Sequence, residues 1–319
     1  MSQTALAYEQ LIEAFTTWGE TQPDVRAAIV VGSRARLNHP ADEWSDLDIV
    51  IVATNPRRYL SQSDWLDRLG LPWVTFCDKT STGDEQQRRV VFEGGLDVDC
   101  AFIPQRLART LVLLVRILKR FPRLLRLPYA VRLMRKAEGF CAMVRRGTRV
   151  LLDKDGLAAY LKLLDVAAQP VCPPGESEYR EVVNGFWYHA VWTAKHIRRG
   201  EIWWAKSACD ERMKHWLRQM MEWHARASNG WEYDTWMRGR FLEEWADPRA
   251  LKELGGAFAH YGEADLRRAL LATMDLFRWL AMETASLLNY PYPATADERI
   301  TGWVKTCLSE GEAALAGSS

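Results

Sequence analysis

The chain has 319 residues, 48% hydrophobic and 26% charged, with a formal net charge of +1 from 42 Lys+Arg against 41 Asp+Glu. That length points to about two domains, and the composition excludes a disordered chain and a uniformly basic nucleic-acid binder. Six cysteines are scattered without a CxxC pair, so no zinc or disulfide framework is expected.

Near-neutrality is an average over unlike pieces. Residues 1–104 carry a balance of −7, residues 105–149 one of +12, and residues 150–319 one of −4. The fifteen tryptophans are also uneven, with four before residue 105 and eleven from Trp187 on. The N-terminus shows no basic region followed by an apolar core, and no apolar run reaches the roughly 20 residues of a membrane span, so a cytoplasmic protein is expected.

In chain order, Tyr8–Trp18 has helical apolar spacing. Arg26–Val31 is a short apolar run that suits a buried strand and ends at Gly32. Leu47–Ala53 is a second strand, Trp73–Cys77 and Arg89–Phe92 are weaker ones, and Leu96–Ile103 is another, stopped by Pro104. From Gln105 the pattern turns helical. Arg106–Arg120 and Ala130–Arg146 read as two basic helices, with Arg116, Lys119, Arg120, Arg123 and Arg126 interleaved with apolar residues. After the Pro-rich connector Gln169–Gly175, helices are expected at Glu178–Arg199, Ala205–Ala227, Tyr233–Glu244, Pro248–Tyr261 and Ala264–Leu288.

The chemistry concentrates in Ile29–Val52. A buried strand runs into Gly32-Ser33, where glycine permits a tight turn and close approach of backbone N–H groups to a phosphate. Twelve residues separate Ser33 from Asp46, and Asp48 follows, so that the two acids share one face of a strand. Paired carboxylates in an apolar strand need a neutralising partner, and oxygen ligands favour Mg²⁺ held jointly by carboxylates and substrate phosphates. Asp97 and Asp99, again on one face, offer a third carboxylate. The set suits phosphoryl or nucleotidyl transfer. Arg34 directly after the turn either contacts a phosphate or pairs with a surface acid. The six histidines lack ligand spacing and are given no metal role.

Gly32-Ser33 followed by Asp46-Leu47-Asp48 resembles the signature of the nucleotidyltransferase superfamily with a polymerase-β-like fold. The chain is further similar to the aminoglycoside 6-adenylyltransferases, through LDVDCAFIP (96–104), VLLDKDG (150–156) and the Trp-rich stretch Asn184–Trp223. The resemblance implies an α+β architecture: a catalytic domain with a mixed sheet over 1–149, including the basic insert 105–149, then an all-α helical bundle over 150–319. It implies Asp46 and Asp48 as Mg²⁺ ligands, Asp99 as the third carboxylate, which completes the metal site or acts as general base, and Gly32 and Ser33 as the triphosphate turn. VLLDKDG resembles a family linker. Lys195 and Lys206 are similar to helical-domain lysines that bind ATP phosphates. The implied acceptor is a small polycation, for which Trp187, Trp192, Glu178 and Glu181 are candidate contacts. For the basic insert three readings stand: a solvated amphipathic hairpin, which is favoured, a contact for RNA or another anionic surface, and an arm supplying charge to ATP. The second reading supports an alternative function, nucleotidyl transfer to an RNA or protein hydroxyl.

Overall fold

The computed structural model describes residues 2–80, 86–121, 143–157 and 171–316. The chain divides into two compact units, Met1–Gln169 and Pro170–Ser319.

The first unit is built on a six-stranded mixed sheet of order β3-β4-β5-β2-β1-β6. The strands are β1 (Val25–Val31), β2 (Leu47–Ala53), β3 (Pro72–Lys79), β4 (Gln86–Phe92), β5 (Leu96–Pro104) and β6 (Arg149–Asp153). Only β2 and β5 run parallel; the other neighbours are antiparallel. Helix α1 (Gln3–Thr21) starts where Ser2 accepts a hydrogen bond from the Ala5 N–H at 3.2 Å. It buries Tyr8, Leu11, Ile12, Phe15 and Trp18, a helical-period stripe. These pack with Leu47, Ile49, Ile51, Val98, Cys100 and Phe102 into one core. Short helix α2 (Pro56–Ser61) is anchored by buried Arg88, whose guanidinium donates to the carbonyls of Tyr59 and Leu60 and to Thr75.

Strand β6 corrects the expectation of a linker over 150–156. It pairs with β1 and therefore belongs to the sheet. The unit boundary accordingly falls at Gln169/Pro170 rather than at 149/150. Beyond β6, Lys154 Nζ donates to the carbonyls of Gly19, Glu20 and Gln22 at 2.9, 3.1 and 2.7 Å, capping the C-terminus of α1. Asp155 gathers Arg26, Gln105 and Arg109. Helix α3 (Gln105–Arg120) confirms the first basic helix, and its Arg109 is tied down by that ion pair. Arg106, Arg116 and Arg120 are exposed. The second basic helix falls mostly outside the described residues, of which 143–146 are helical.

The second unit is all helical: α4 (Glu176–Arg198), α5 (Ile202–Ser207), a π-helical turn (Ala208–Met213), α6 (Lys214–Asn229), α7 (Pro248–Ala257), α8 (Glu263–Leu288) and α9 (Ala294–Ala316). One core joins Tyr179, Phe186, Met213, Met220, Leu270 and Phe277. The helix expected at Tyr233–Glu244 is absent apart from one turn at Leu242–Trp245. Trp236, Arg238, Gly239 and Phe241 all have positive φ, which no right-handed helix accommodates. Helix α9 lies beyond the last helix that the sequence pattern predicts. Among the described residues no helix is long and apolar enough to cross a membrane.

Candidate active site

The end of β1 and the start of β2 face each other, with Val31 paired to Asp48. Gly32 then turns the chain at φ +72°, and a Cβ there would lie 2.3 Å from Asp48 Oδ2. Glycine is thus required twice, for the backbone conformation and for the space that the Asp48 carboxylate uses. Ser33 is 4% exposed, and its Oγ has no hydrogen-bond partner in the protein. A buried hydroxyl without a partner costs about 1–3 kcal/mol, so a polar ligand atom beside the turn would satisfy it.

The parallel ladder pairs Asp48 with Asp99 directly. Asp46 lies just before β2 and is half-buried. Burial is the main cause that raises the Asp99 carboxyl above the usual carboxylate range. Arg89 opposes that rise, while Asp46, Asp97 and Asp78 add to it. Arg89 pairs with Asp99 across the β4–β5 ladder, its Nη2 3.5 Å from Asp99 Oδ2. The Gln87 amide, turned with its oxygen toward Arg89, accepts from Nε at 2.8 Å and Nη2 at 2.7 Å. Nothing local in the sequence marks Arg89. Only strand pairing, which is non-local, brings it to Asp99.

Arg34 is engaged with the backbone that presents Asp46. Its Nε donates to the Asp46 carbonyl at 3.1 Å, its Nη2 donates to the Ser45 carbonyl at 2.5 Å, and its guanidinium lies 3.4 Å from the Tyr8 ring centroid. Neither sequence reading, phosphate contact or surface ion pair, describes this clamp. Tyr8 in turn donates to Asp97 Oδ1 at 2.8 Å and accepts from the Asp97 N–H at 3.2 Å. Burial, followed by the bond to Asp97, pushes the Tyr8 phenol up to about 12. Asp97 is therefore committed to α1, which separates its role from that of Asp99.

The donor chemistry fits Mg²⁺: carboxylate oxygens of Asp46, Asp48 and Asp99 beside a buried free hydroxyl. Among the described residues no three His, Cys, Asp or Glu side chains close into a metal cage. The expected three-carboxylate ligand set is thus not a closed cage. Mg²⁺ commonly takes one or two carboxylates and completes its shell with waters and substrate phosphates, so an open set remains compatible with it.

In the helical unit, Lys195 is exposed on α4 with Nζ 5.7 Å from the Trp303 ring centroid. Lys206 donates to Asp210 and to the Ala259 carbonyl, the latter at 2.6 Å, so its charge is already held. Trp187 is 2% exposed and packs edge-on against Phe186 and Phe277. It is a core residue, which overturns its expected part in an acceptor wall. Trp192 is half-buried against His196 and Trp204. Glu178 and Glu181 are exposed on α4.

A sheet that sets a glycine-serine turn against paired carboxylates is the arrangement of a nucleotidyltransferase. A model of the streptomycin adenylyltransferase family matches residues 7–307, and the chain belongs to that family. An aminoglycoside 6-adenylyltransferase of Bacillus subtilis (strain 168) is 22% identical over 303 residues, covering 93% of this chain and 96% of its own. One of Staphylococcus aureus is 19% identical over 285 residues, covering 89% and 93%. The crystal structure of an aminoglycoside 6-adenyltransferase from Bacillus subtilis matches with a TM-score of 0.42 at 20% identity, over 94% of this chain and 98% of that one.

Proposed function

We propose that this chain, acting in the cytoplasm, transfers AMP from ATP to a hydroxyl of a streptomycin-like aminoglycoside and releases pyrophosphate. The observation that carries the reading is the register Val31–Asp48–Asp99 beside Gly32, which places two carboxylates next to a turn fit for phosphate. The Gly32–Ser33 turn binds the β- and γ-phosphates through backbone N–H groups and the Ser33 hydroxyl. Asp46 and Asp48 hold Mg²⁺, which when bound neutralises phosphate charge as the α-phosphorus is attacked. Asp99 accepts the proton of the acceptor hydroxyl. The acceptor oxygen forms its bond to the α-phosphorus as the bond to the bridging oxygen breaks, and pyrophosphate leaves in line. An Asp99 proton affinity raised by burial suits a base that must take a proton from an alcohol.

The test is incubation with ATP, Mg²⁺ and a panel of aminoglycosides, read by mass spectrometry. A gain of one adenylyl group on streptomycin, with pyrophosphate released, is expected. Asp48→Asn should lose turnover while keeping the wild-type circular dichroism spectrum. Full activity in that variant would refute the site. Label from ATP appearing on RNA or protein, and on no aminoglycoside, would transfer the reading to a macromolecular acceptor, for which the exposed arginines of α3 are the supporting feature.

A further inference from the structure

The face of the sheet that carries the carboxylates does not stop at β5. The ladders continue one row outward: Asp48 pairs with Asp99, Asp99 with Arg89, and Arg89 with Phe76 on β3. Paired residues share a face, so Phe76 stands on the side of the sheet that bears Asp48 and Asp99. On the opposite side of β3, Thr75 accepts from Arg88 and the Cys77 thiol donates to the Leu60 carbonyl. Phe76 and Val74, two residues apart on one face, are 52% and 54% exposed. Asp78, two residues on, extends the same face and is exposed. β3 is an edge strand, and natural edges rarely leave large apolar side chains uncovered without a use.

The strand order says which substrate this ledge serves. The phosphate turn lies at the end of β1, and in in-line transfer the entering oxygen approaches the α-phosphorus from the side opposite the departing pyrophosphate. With the leaving group at β1, the acceptor enters from β5, β4 and β3. Phe76 is two strand spacings from Asp99, about 10 Å, which is the reach of a second ring on an acceptor whose hydroxyl sits at Asp99. An aromatic face beside a carboxylate matches a sugar ring that carries an ammonium or guanidinium group. The intervening cation, Arg89, is held by Asp99 and Gln87, and Asp78 is the exposed carboxylate on this part of the face.

We propose that Phe76 and Asp78 on β3, with Val74, form the acceptor platform of this enzyme, taking a ring of the cationic aminoglycoside. The proposal rests on the function proposed above. Its test is steady-state kinetics of Phe76→Ala, Asp78→Asn and Phe76→Tyr, with calorimetric binding of the aminoglycoside and of ATP·Mg²⁺ measured separately. Phe76→Ala and Asp78→Asn should each raise the acceptor KM and Kd about tenfold, a change worth about 1.4 kcal/mol. Their ATP KM should stay within twofold of wild type. Phe76→Tyr should retain acceptor affinity, and Cys77→Ser on the opposite face should alter neither substrate. Unchanged acceptor affinity in both variants overturns the platform. A raised KM for ATP alone overturns it too, and assigns the ledge to the adenine. If the wild-type protein modifies no aminoglycoside, the functional reading itself has failed, an outcome distinct from both.

Discussion

At Gly32 the backbone holds φ +72°, and an added Cβ would meet Asp48 Oδ2 at 2.3 Å. A non-glycine residue in that left-handed region costs about 1–2 kcal/mol, and the carboxylate has to give way as well. Gly32→Ala should therefore damage chemistry more than stability. A displacement of about 1 Å at a reacting centre can cost about 100-fold in rate, so kcat should fall on that order while the melting temperature moves by only a few degrees. A variant with normal kcat would mean that the turn does not position Asp48. This part of the site is legible in the sequence because its logic is local: Gly32-Ser33 ends one apolar run, and Asp48 sits inside the next. The partners of these residues are not legible, because Arg89 reaches Asp99 only through β4–β5 pairing and Arg34 reaches the Asp46 carbonyl only through a fold in the chain.

Strand β6 shows the same limit at the scale of an element. Its five residues, Arg149–Asp153, are too few to carry a strong period, and they join the sheet by pairing with β1, far away in sequence. Its hold on the unit continues in Lys154 and Asp155. Arg26, with Gln105 and Arg109, keeps the Asp155 carboxyl well below the usual carboxylate range. Because the folded state lowers this acid's proton affinity, its contribution is complete above the unfolded carboxylate value, about 3.9, and fades as pH falls toward the lower folded value. Asp155→Asn should destabilise the first unit by about 2 kcal/mol at pH 7, the worth of a charge-assisted hydrogen bond. The deficit relative to wild type should shrink as the pH is lowered below about 4. Urea denaturation of both proteins at the two pH values checks the sign; a deficit that grows on acidification would contradict the ion-pair account. The segment 233–244 fails differently: its apolar spacing suits a helix, yet Trp236, Arg238 and Phe241 adopt positive φ and the chain stays irregular.

For the whole molecule, the sequence separates an acidic first piece from a Trp-rich last one, and the structure gives each unit a core of its own. The expected α+β class holds, with the mixed sheet in the first unit and, among the described residues, helices and no strand in the second. The compact units divide at Gln169/Pro170 because β6 lies beyond the basic insert, so the chain returns to the first sheet before it begins the helices. Two cores imply two separable stabilities. In the second unit Phe277 is fully buried and stacks on Phe186 with ring centroids 3.6 Å apart and planes 6° from parallel. Phe277→Ala leaves a cavity under Phe186 and Trp187, and a large-to-small change of this kind costs about 3–5 kcal/mol. Eleven of the fifteen tryptophans lie from Trp187 on, so intrinsic fluorescence reports chiefly on this unit. The denaturation midpoint seen by fluorescence should drop in the variant. Hydrogen exchange at β1, β2 and β5 should keep wild-type protection at denaturant concentrations where the helices have already opened. Simultaneous loss of protection in the sheet and the helices would show that one cooperative unit spans both cores.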